Sequence, residues 1–452
     1  MPAKKRYMEN PPPRVRAIMA ILMVALAMHS VVGCSLLTRP TGVPPSPSPT
    51  VGLTPTTFSA WPTPTATLVP QSVPLTLTLW LPPEMLPDAQ STGQLIEGLN
   101  KAFVSANPQV RVEVVPKAPY GLGGIANMLL TTHAAVPARL PDIVAIDASE
   151  LYKVAEGDIL VPLSGLISQA LWDDLFPWAL ETITVNGKRL GMPFQTDIAF
   201  LVYNASLIQT PPRAWYDLAS TKGKYIFPAG RGDGSAADTF LLHYLALGGT
   251  FGDSDARPSL DTTLMAKVLR DYRSAMELGI VPDTVRTLRT LDDCWSSYIA
   301  GEASLTNASS WQYARDRATV QNARYAPIPT INGELVTLAR SWAWAIVTRD
   351  PMRQKIAVRY IASALRPEYL SAWSKASLHL PVHRSVLELA IEDRDYRAFL
   401  VEQLQYARPY PSGRHYSEIQ DAISLAIEDV LDGVTTPERA AITAAASLAR
   451  LR

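Results

Sequence analysis

The sequence predicts an α/β fold made of two lobes, and three observations support that prediction. Residues 75–114 alternate as strand, helix and strand, which is typical of a mostly parallel sheet flanked by helices. The 452 residues, of which 47% are hydrophobic and 18% charged, can bury large cores. That length corresponds to about two or three domain-sized units. The mid-chain stretch 183–204 passes from a hairpin through a polar bend into an apolar strand, as a crossing between lobes would.

The first elements follow from apolar periodicity. Alternating apolar residues predict strands at 75–81 and 110–114, and apolar residues at helical spacing predict a helix over 92–106. A third, buried strand is predicted at 142–146. Asp147 follows at its C-terminal end, where ligands gather in open α/β sheets, so Asp147 is a candidate site residue. The alternative is that Asp147 or Ser149 caps the helix that follows.

The stretch 183–204 contains two turn signals. Asn186-Gly187 is a strong hairpin signal between two short strands. Downstream, the residues 195–197 form a polar bend before a strand at 198–203. The bend is either an ordinary strand–turn–strand connection or a passage from one lobe to the other.

The second half of the chain reads mainly as helices, with one buried strand at 341–347. Helical apolar spacing and terminating glycines support this interpretation. The predicted helices are 238–247, 262–278, 291–300, 351–363, 366–375, 416–431 and 437–451.

The N-terminal segment predicts export. A basic start is followed by the apolar run 17–28, which is too short to span a bilayer but suits the core of a signal peptide. Val31-Val32-Gly33-Cys34 resembles the lipobox of bacterial lipoproteins. The resemblance implies that residues 1–33 are removed and that Cys34 becomes lipidated, which would attach the protein to a membrane surface. The alternative is a plain secretory signal with a chance cysteine.

Residues 34–74 are predicted to form a linker. Ten prolines and nine threonines occur among residues 35–74, and Arg39 is the only charge there. Such a segment cannot bury enough apolar surface to fold, and its prolines keep it extended. It would hold the folded part away from the membrane.

Composition and motifs exclude several function classes. The formal net charge is zero, which does not suggest a nucleic-acid partner. The two cysteines, Cys34 and Cys294, lie in very different contexts, so no disulfide is expected, and their spacing suits no metal site. His379 and His383 are separated by Pro381, which spoils helical zinc geometry. Serine-hydrolase and zinc-protease motifs are missing. We expect neither an enzyme nor a bound metal or cofactor.

Six short segments follow one another along the chain: 155–163 (AEGDILVPL), 191–204 (GMPFQTDIAFLVYN), 214–218 (AWYDL), 301–303 with 310–311 (GEA and SW), 378–384 (LHLPVHR) and 435–440 (TTPERA). Together they resemble, in the same order, motifs of the extracellular solute-binding proteins of bacterial ABC importers, most closely the maltose-type, sugar-binding branch (family 1). The resemblance covers about residues 75–445. The "A-A-M" strand of the family pattern is replaced here by residues 303–306, Ser310 stands before Trp311 where the pattern has Gly, and Gly is missing from 378–383.

The resemblance implies a periplasmic-binding-protein-like fold with two α/β lobes joined by hinge crossings. The first lobe would comprise residues 75–190 with 307–350, and the second 191–306 with 351–452. Residues near 185–197 would form one crossing.

Candidate ligand-binding residues are aromatic or polar side chains beside bends and strand ends. Flat aromatic faces suit the C–H faces of sugars, and carboxylates, amides and guanidinium groups suit sugar hydroxyls. For a single tryptophan the alternative is a place in the core. Asp233 lies in a Gly-rich loop that lacks the lysine and strand context of a phosphate-binding loop. The candidates are Trp80, Asp147, Gln195, Asp197, Asp233, Trp311, Arg340 and Trp342.

These observations predict a monomeric, lipid-anchored substrate-binding protein that captures an extracellular solute, expected to be a sugar or oligosaccharide, between its lobes. It would deliver the solute to the permease subunits of an ABC importer. Two alternatives are a surface-anchored hydrolase acting on polysaccharide and a sensory or adhesion lipoprotein without a transport role.

Overall fold

The computed structural model describes residues 74–86, 90–232, 235–251, 258–411, 413 and 415–451. All of them belong to one compact unit, Pro70–Arg452. The predicted signal peptide, the predicted linker up to residue 73 with Cys34, and the candidate Asp233 lie outside the described residues. None of the helices in the described ranges is both long and apolar enough to cross a membrane.

Strands and α-helices alternate in the first part of the chain, and helices dominate the last part. The strands of the described residues are β1 (Leu75–Leu81), β2 (Val110–Pro116), β3 (Ile143–Asp147), β4 (Thr184–Val185), β5 (Lys188–Arg189), β6 (Met192–Asn204), β7 (Tyr225–Ile226), β8 (Leu305–Ser309), β9 (Ala323–Ala326), β10 (Thr337–Ile346), β11 (Leu380–Pro381) and β12 (Ala407–Pro409). The α-helices are α1 (Gln90–Ala106), α2 (Ile125–Ala135), α3 (Leu151–Ala155), α4 (Gln169–Asp173), α5 (Pro177–Ile183), α6 (Ser235–Ala246), α7 (Thr262–Glu277), α8 (Leu291–Ile299), α9 (Ser310–Asp316), α10 (Pro351–Ala364), α11 (Pro367–Ser377), α12 (Arg384–Ala390), α13 (Arg394–Gln405), α14 (Tyr416–Leu431) and α15 (Pro437–Leu448).

Local signals placed many of these elements correctly. The predicted first strand and the helix at 416–431 have the observed bounds. The hairpin of β4 and β5 turns at Asn186 and Gly187, whose φ angles of 50° and 72° are those that a two-residue hairpin turn requires. Sequence reasoning did not predict β8, α9, α12 or α13.

The main sheet is mixed, whereas a mostly parallel sheet was predicted. Its strand order is β2-β1-β3-β10-β6-β8-β7, with further strands pairing at β6 and β10. The pairs β1–β2, β1–β3 and β7–β8 are parallel, as the initial strand–helix–strand pattern indicates. In the centre, β10 is antiparallel to both of its neighbours, β3 and β6, so the sheet as a whole is mixed.

The predicted bend at 195–197 does not break the chain into two strands. Met192–Asn204 is one continuous 13-residue strand. Its polar residues remain in the strand because tertiary partners satisfy them: the Thr196 hydroxyl donates to the carbonyl oxygen of Arg340 at 2.8 Å. The N-terminal half of β6 pairs with β10 and its C-terminal half with β8 and β9, so the strand itself connects the two parts of the fold.

Two hydrophobic cores flank this connection. The first contains buried side chains from β1, β3 and the helices of residues 351–405. The second contains side chains from α6, α7, α14 and α15. The fold is therefore two-lobed, with β6 and β10 shared between the lobes.

The cores divide the chain differently from the predicted lobe bounds. Residues 351–407 were assigned to the second lobe, yet Ile356 and Leu400 are buried in the first core. Residues 326–338, assigned to the first lobe, contribute Ile328 and Leu338 to the second core. The reason is that β10 returns the chain to the first lobe near residue 339, and α10 to α13 then pack there. That the two lobes move as separate domains stays a prediction.

Candidate functional site

A cavity of about 610 Å³ lies beside the central strands, and apolar side chains outnumber polar ones in its lining. Four lining residues are aromatic: Tyr120, Trp311, Trp342 and Trp373. We call these four residues the cleft cluster. The volume falls in the range of roughly 300–1,000 Å³ that is typical of small-molecule sites.

Trp311 is held by the start of helix α9. The Asp197 carboxylate on β6 accepts hydrogen bonds from the backbone N–H of Trp311 at 3.1 Å and from the Ser310 hydroxyl. One turn later, the Arg315 guanidinium carbon lies 4.6 Å from the centre of the Trp311 ring, a cation–π contact. The backbone and the ring of Trp311 are therefore both fixed at the cavity wall.

Trp342 and Tyr120 form the next part of the wall. The backbone of Trp342 pairs with Asp147 on β3 and with Gln195 on β6. The Tyr120 ring lies 6.3 Å from the Trp342 ring at a tilt of 59°. Its hydroxyl donates to Asp147 Oδ2 at 2.6 Å. Burial, and next the negative charge of Asp147, raise the pKa of Tyr120, so the hydroxyl keeps its proton.

Trp373 is the most enclosed member of the cleft cluster, at 3% exposure. Its indole N–H donates to Gln195 Oε1 at 2.6 Å. Gln195 is buried on β6, where its backbone also pairs with Pro381 of β11. This bond joins α11 to the central strand beneath the cavity.

A polar cluster lies two residues along β10 from Trp342, at Arg340. It borders a much smaller cavity of about 10 Å³. The guanidinium is 3.9 Å from the Asp238 carboxylate and lies 4.8 Å over the Tyr410 ring. Burial alone lowers the pKa of Arg340, but Tyr410, Asp147 and Asp238 hold it well above its ordinary value. Arg340 therefore stays charged and links β3 to α6.

Asp147 has a structural role in addition to its contact with Tyr120. It is almost fully buried and accepts hydrogen bonds from the backbone N–H of Ser149 at 2.9 Å and from its hydroxyl at 2.7 Å. Asp147 thus caps the helical turn 148–150, which confirms the capping alternative.

Comparison with known families identifies the chain. The family model described as "Bacterial extracellular solute-binding protein" matches residues 98–396, which is more than half of the sequence. The chain belongs to this family. The predicted family is thereby confirmed, and because the family is extracellular the solute-binding protein is an exported one.

Curated relatives are distant and match in part. A maltotriose-binding protein of Pyrococcus abyssi is 26% identical over 174 residues, covering 37% of this chain and 37% of the relative. A maltodextrin-binding protein of Bacillus subtilis is 21% identical over 281 residues, covering 58% of this chain and 66% of the relative. The solute-binding protein therefore spans less than two thirds of each of these relatives.

Solved structures confirm the two-lobed fold. A cyclic alpha-maltosyl-1,6-maltose binding protein from Arthrobacter globiformis superposes with a TM-score of 0.70 at 19% identity, covering 83% of this chain and 98% of the other. The sugar-binding protein MalE from Xanthomonas citri gives 0.69 at 19% identity, with coverage of 83% and 98%. At such identities the likeness establishes the fold.

The structure brings some predicted site residues of the solute-binding protein together and separates others. Gln195, Trp311 and Trp342 line the large cavity, while Asp147 and Arg340 line the small one. Asp197 does not line either of these two cavities; it holds the start of α9 beneath Trp311. Their common role in ligand binding stays a prediction.

Trp80, predicted at the site because it lies near the end of a strand, lines neither of these two cavities. It is 5% exposed and packs in the first core. Its role in ligand binding stays a prediction. The amino group of Lys117 lies 4.8 Å from the centre of the Trp80 ring.

Sequence reasoning missed Tyr120 and Trp373. Tyr120 stands in the glycine-rich segment 119–124, and an aromatic residue in such a loop was a usable signal. Trp373 lies in a helix at core-like spacing, and nothing local distinguishes it from a core tryptophan. Only the packing of α11 against β6 places it at the cavity.

The cavity offers flat aromatic faces together with amide, carboxylate, guanidinium and imidazole groups. This combination suits a neutral ligand that has apolar C–H faces and several hydroxyls. Within the described residues, no group of three or more His, Cys, Asp or Glu side chains is placed to hold a metal ion.

Proposed function

We propose that this solute-binding protein captures a sugar, in particular a maltodextrin, in the cavity lined by the cleft cluster. The observation that carries the proposal is the convergence of four aromatic rings on one cavity of about 610 Å³. The names of the two curated relatives, which bind maltotriose and maltodextrin, support the same ligand class.

In this proposal the ligand acts by bridging the lobes. Trp373 is buried in the first core, and α9, which carries Trp311, also packs on the first core through Tyr313. The cleft cluster would therefore bind the sugar on the first lobe. Contacts added by the second lobe would stabilise the closed arrangement, because the affinity then differs between the open and closed states. The closed monomer would then deliver the sugar to the permease subunits of an ABC importer.

A ligand titration tests this function directly. The purified chain from residue 75 onward is titrated with maltose, maltotriose, maltotetraose and cellobiose, and binding is followed by calorimetry and thermal shift. We expect saturable binding of the maltodextrins and weaker binding of cellobiose. If none of the four sugars binds or raises the unfolding temperature, the sugar proposal is wrong.

Binding without catalysis is part of the proposal. The purified chain should release no reducing sugar from a maltodextrin during prolonged incubation. Turnover of the glycan would favour a surface hydrolase instead.

We further propose that lipidated Cys34 anchors the exported protein. Cys34→Ser should move the protein from the membrane fraction to the soluble fraction, since the lipid attaches through the thiol. Cys294→Ser is the matched control, because Cys294 is fully buried and should leave the distribution unchanged. Equal membrane association of both variants would exclude the anchor.

A further inference from the structure

One leucine of the cavity wall has an unfavourable backbone conformation. Leu378 has φ 62° and ψ 8°, in the left-handed region. Among the described residues, the other non-glycine positions with positive φ are Asp158, Asn186 and Asn322. Asparagine and aspartate tolerate this region because their short polar side chains bond locally, whereas leucine has no such compensation. Within the described ranges, Leu378 is thus the one apolar residue held there.

The neighbouring structure fixes Leu378 from both sides. Its backbone N–H donates to the carbonyl oxygen of Ser374 at 2.9 Å, which closes the last turn of α11. Beyond it, the Ser374 hydroxyl donates to the carbonyl oxygen of His379 at 2.5 Å. Leu380 and Pro381 then pair with β6. A helix end and a strand pairing therefore impose the conformation, as expected for strain that is retained by its surroundings.

Glycine would satisfy this backbone without strain, as it commonly does after a helix. The leucine instead places a branched apolar side chain on the wall of the cavity, beside the lining residues Trp373 and His379. Leu378 is only partly buried, so its side chain is not a simple core element. An unfavourable conformation combined with a cavity-facing side chain indicates a role in the cavity.

We propose that Leu378 determines the ligand specificity of this site by limiting the cross-section of the sugar that enters. The inference rests on the proposed sugar-binding function. Narrow linear maltodextrins contact the leucine with their apolar faces, whereas wider sugars collide with it. Shortening the side chain removes a favourable contact for the first kind and a steric obstacle for the second.

The test compares maltotriose with α-cyclodextrin, which has the same sugar units and linkage but a wider shape. Dissociation constants of both are measured for the parent, Leu378→Ala, Leu378→Gly and the backbone control Asn322→Gly, whose residue has φ 60° and does not line the cavity. In both Leu378 variants the affinity ratio should shift toward α-cyclodextrin by at least about tenfold, because one methylene group in an apolar pocket already accounts for that much and each variant removes at least three carbon atoms. Asn322→Gly should keep the parental ratio.

Thermal unfolding distinguishes the effect of backbone strain on stability from the effect of losing the side chain. Leu378→Ala keeps the left-handed conformation, while Leu378→Gly relaxes it, so the glycine variant should unfold at the higher temperature of the two. The reverse order would show that Leu378 is not strained and would overturn that step.

The outcomes distinguish the two proposals. If the parent binds maltotriose but both Leu378 variants keep its affinity ratio, the specificity role is wrong and the sugar function stands. If the parent binds neither ligand, the sugar function itself is overturned, and the role of Leu378 with it.

Discussion

Two aromatic clusters, each containing tryptophan and tyrosine, have opposite environments in this protein. The cleft cluster (Tyr120, Trp311, Trp342 and Trp373) borders a cavity of about 610 Å³. A second set, which we call the core cluster, packs ring against ring inside the second core. Its members are Trp215, Tyr225, Phe227, His243 and Tyr272.

The two clusters also differ in the hydrogen bonding of their polar atoms. In the cleft cluster, the Tyr120 hydroxyl and the Trp373 indole N–H both donate at 2.6 Å. In the core cluster, the Tyr225 hydroxyl donates to Asn307 Oδ1 at 2.7 Å, but the ring nitrogens of His243 and the hydroxyl of Tyr272 have no hydrogen-bond partner among the described residues. Residue type alone therefore does not distinguish a ligand-binding platform from a core; the space beside the rings does.

The largest expected effect is on the core cluster. Trp215→Ala should lower the free energy of unfolding by about 3–5 kcal/mol, because it leaves a cavity between packed rings. Urea denaturation measures this. The neighbouring variant Tyr216→Ala is the control, since Tyr216 is 75% exposed and should change stability little. A loss for Trp215→Ala as small as that of the control would contradict the assignment of this cluster to the core.

The core cluster should also make stability depend on pH. Burial lowers the pKa of His243 from 6.5 to about 3. The unfolded chain therefore binds a proton that the folded chain does not between these values, and stability falls as pH falls from 6.5 toward 3. Between pH 6.5 and 5 this loss amounts to about 2 kcal/mol.

His243→Leu should remove this part of the pH dependence, which denaturation at pH 7 and pH 5 would detect. The exposed His133→Leu serves as the control and should retain the parental dependence. A pH dependence that survives in His243→Leu would mean that other groups cause it.

The next effect concerns the cleft cluster. Trp311→Ala should weaken binding of the sugar about tenfold, or 1–2 kcal/mol, through loss of an aromatic face. Unfolding should change far less than in Trp215→Ala, because Trp311 is partly exposed. Calorimetric titration gives the affinity, with Tyr406→Ala as an exposed aromatic control. Unchanged affinity would remove Trp311 from the site.

The smallest effect tests the hydrogen bond under the cavity. Trp373→Phe keeps a ring but leaves the buried Gln195 oxygen without its donor, which should cost about 1 kcal/mol of stability. Combining it with Gln195→Leu should recover part of the loss, because both partners are then apolar. Strictly additive losses in the double variant would show that the bond contributes no coupling.

The sequence predicted the individual elements better than their assembly. The hairpin at Asn186-Gly187 and the strand 75–81 depend on neighbouring residues, and local patterns suffice for them. The polar residues of β6 were wrongly predicted to form a bend. Thr196 stays in the strand because its hydroxyl donates to the carbonyl oxygen of Arg340, a residue far away in sequence. The two cores depart from the predicted lobe bounds for the same reason: the return of the chain through β10 is a long-range pairing.

The site was predictable only in part. Trp342 lies on a strand, and the alternation of side chains along a strand assigns it to one face of the sheet. Periodicity cannot say whether that face meets a cavity or a core. Trp80 satisfied the same criteria, yet it is buried in the first core and lines neither of the two cavities. Trp373 carried no local signal at all.

The family, the two-lobed α/β class and many helix and strand positions followed from the sequence alone, because ordered motifs and apolar periodicity are encoded by neighbouring residues. The tertiary structure alone decided which aromatic residues surround empty space, which carboxylates cap helices, and where one lobe ends. It also showed that Leu378 is held in a conformation its residue type disfavours. These features depend on contacts between distant segments, which no local pattern records.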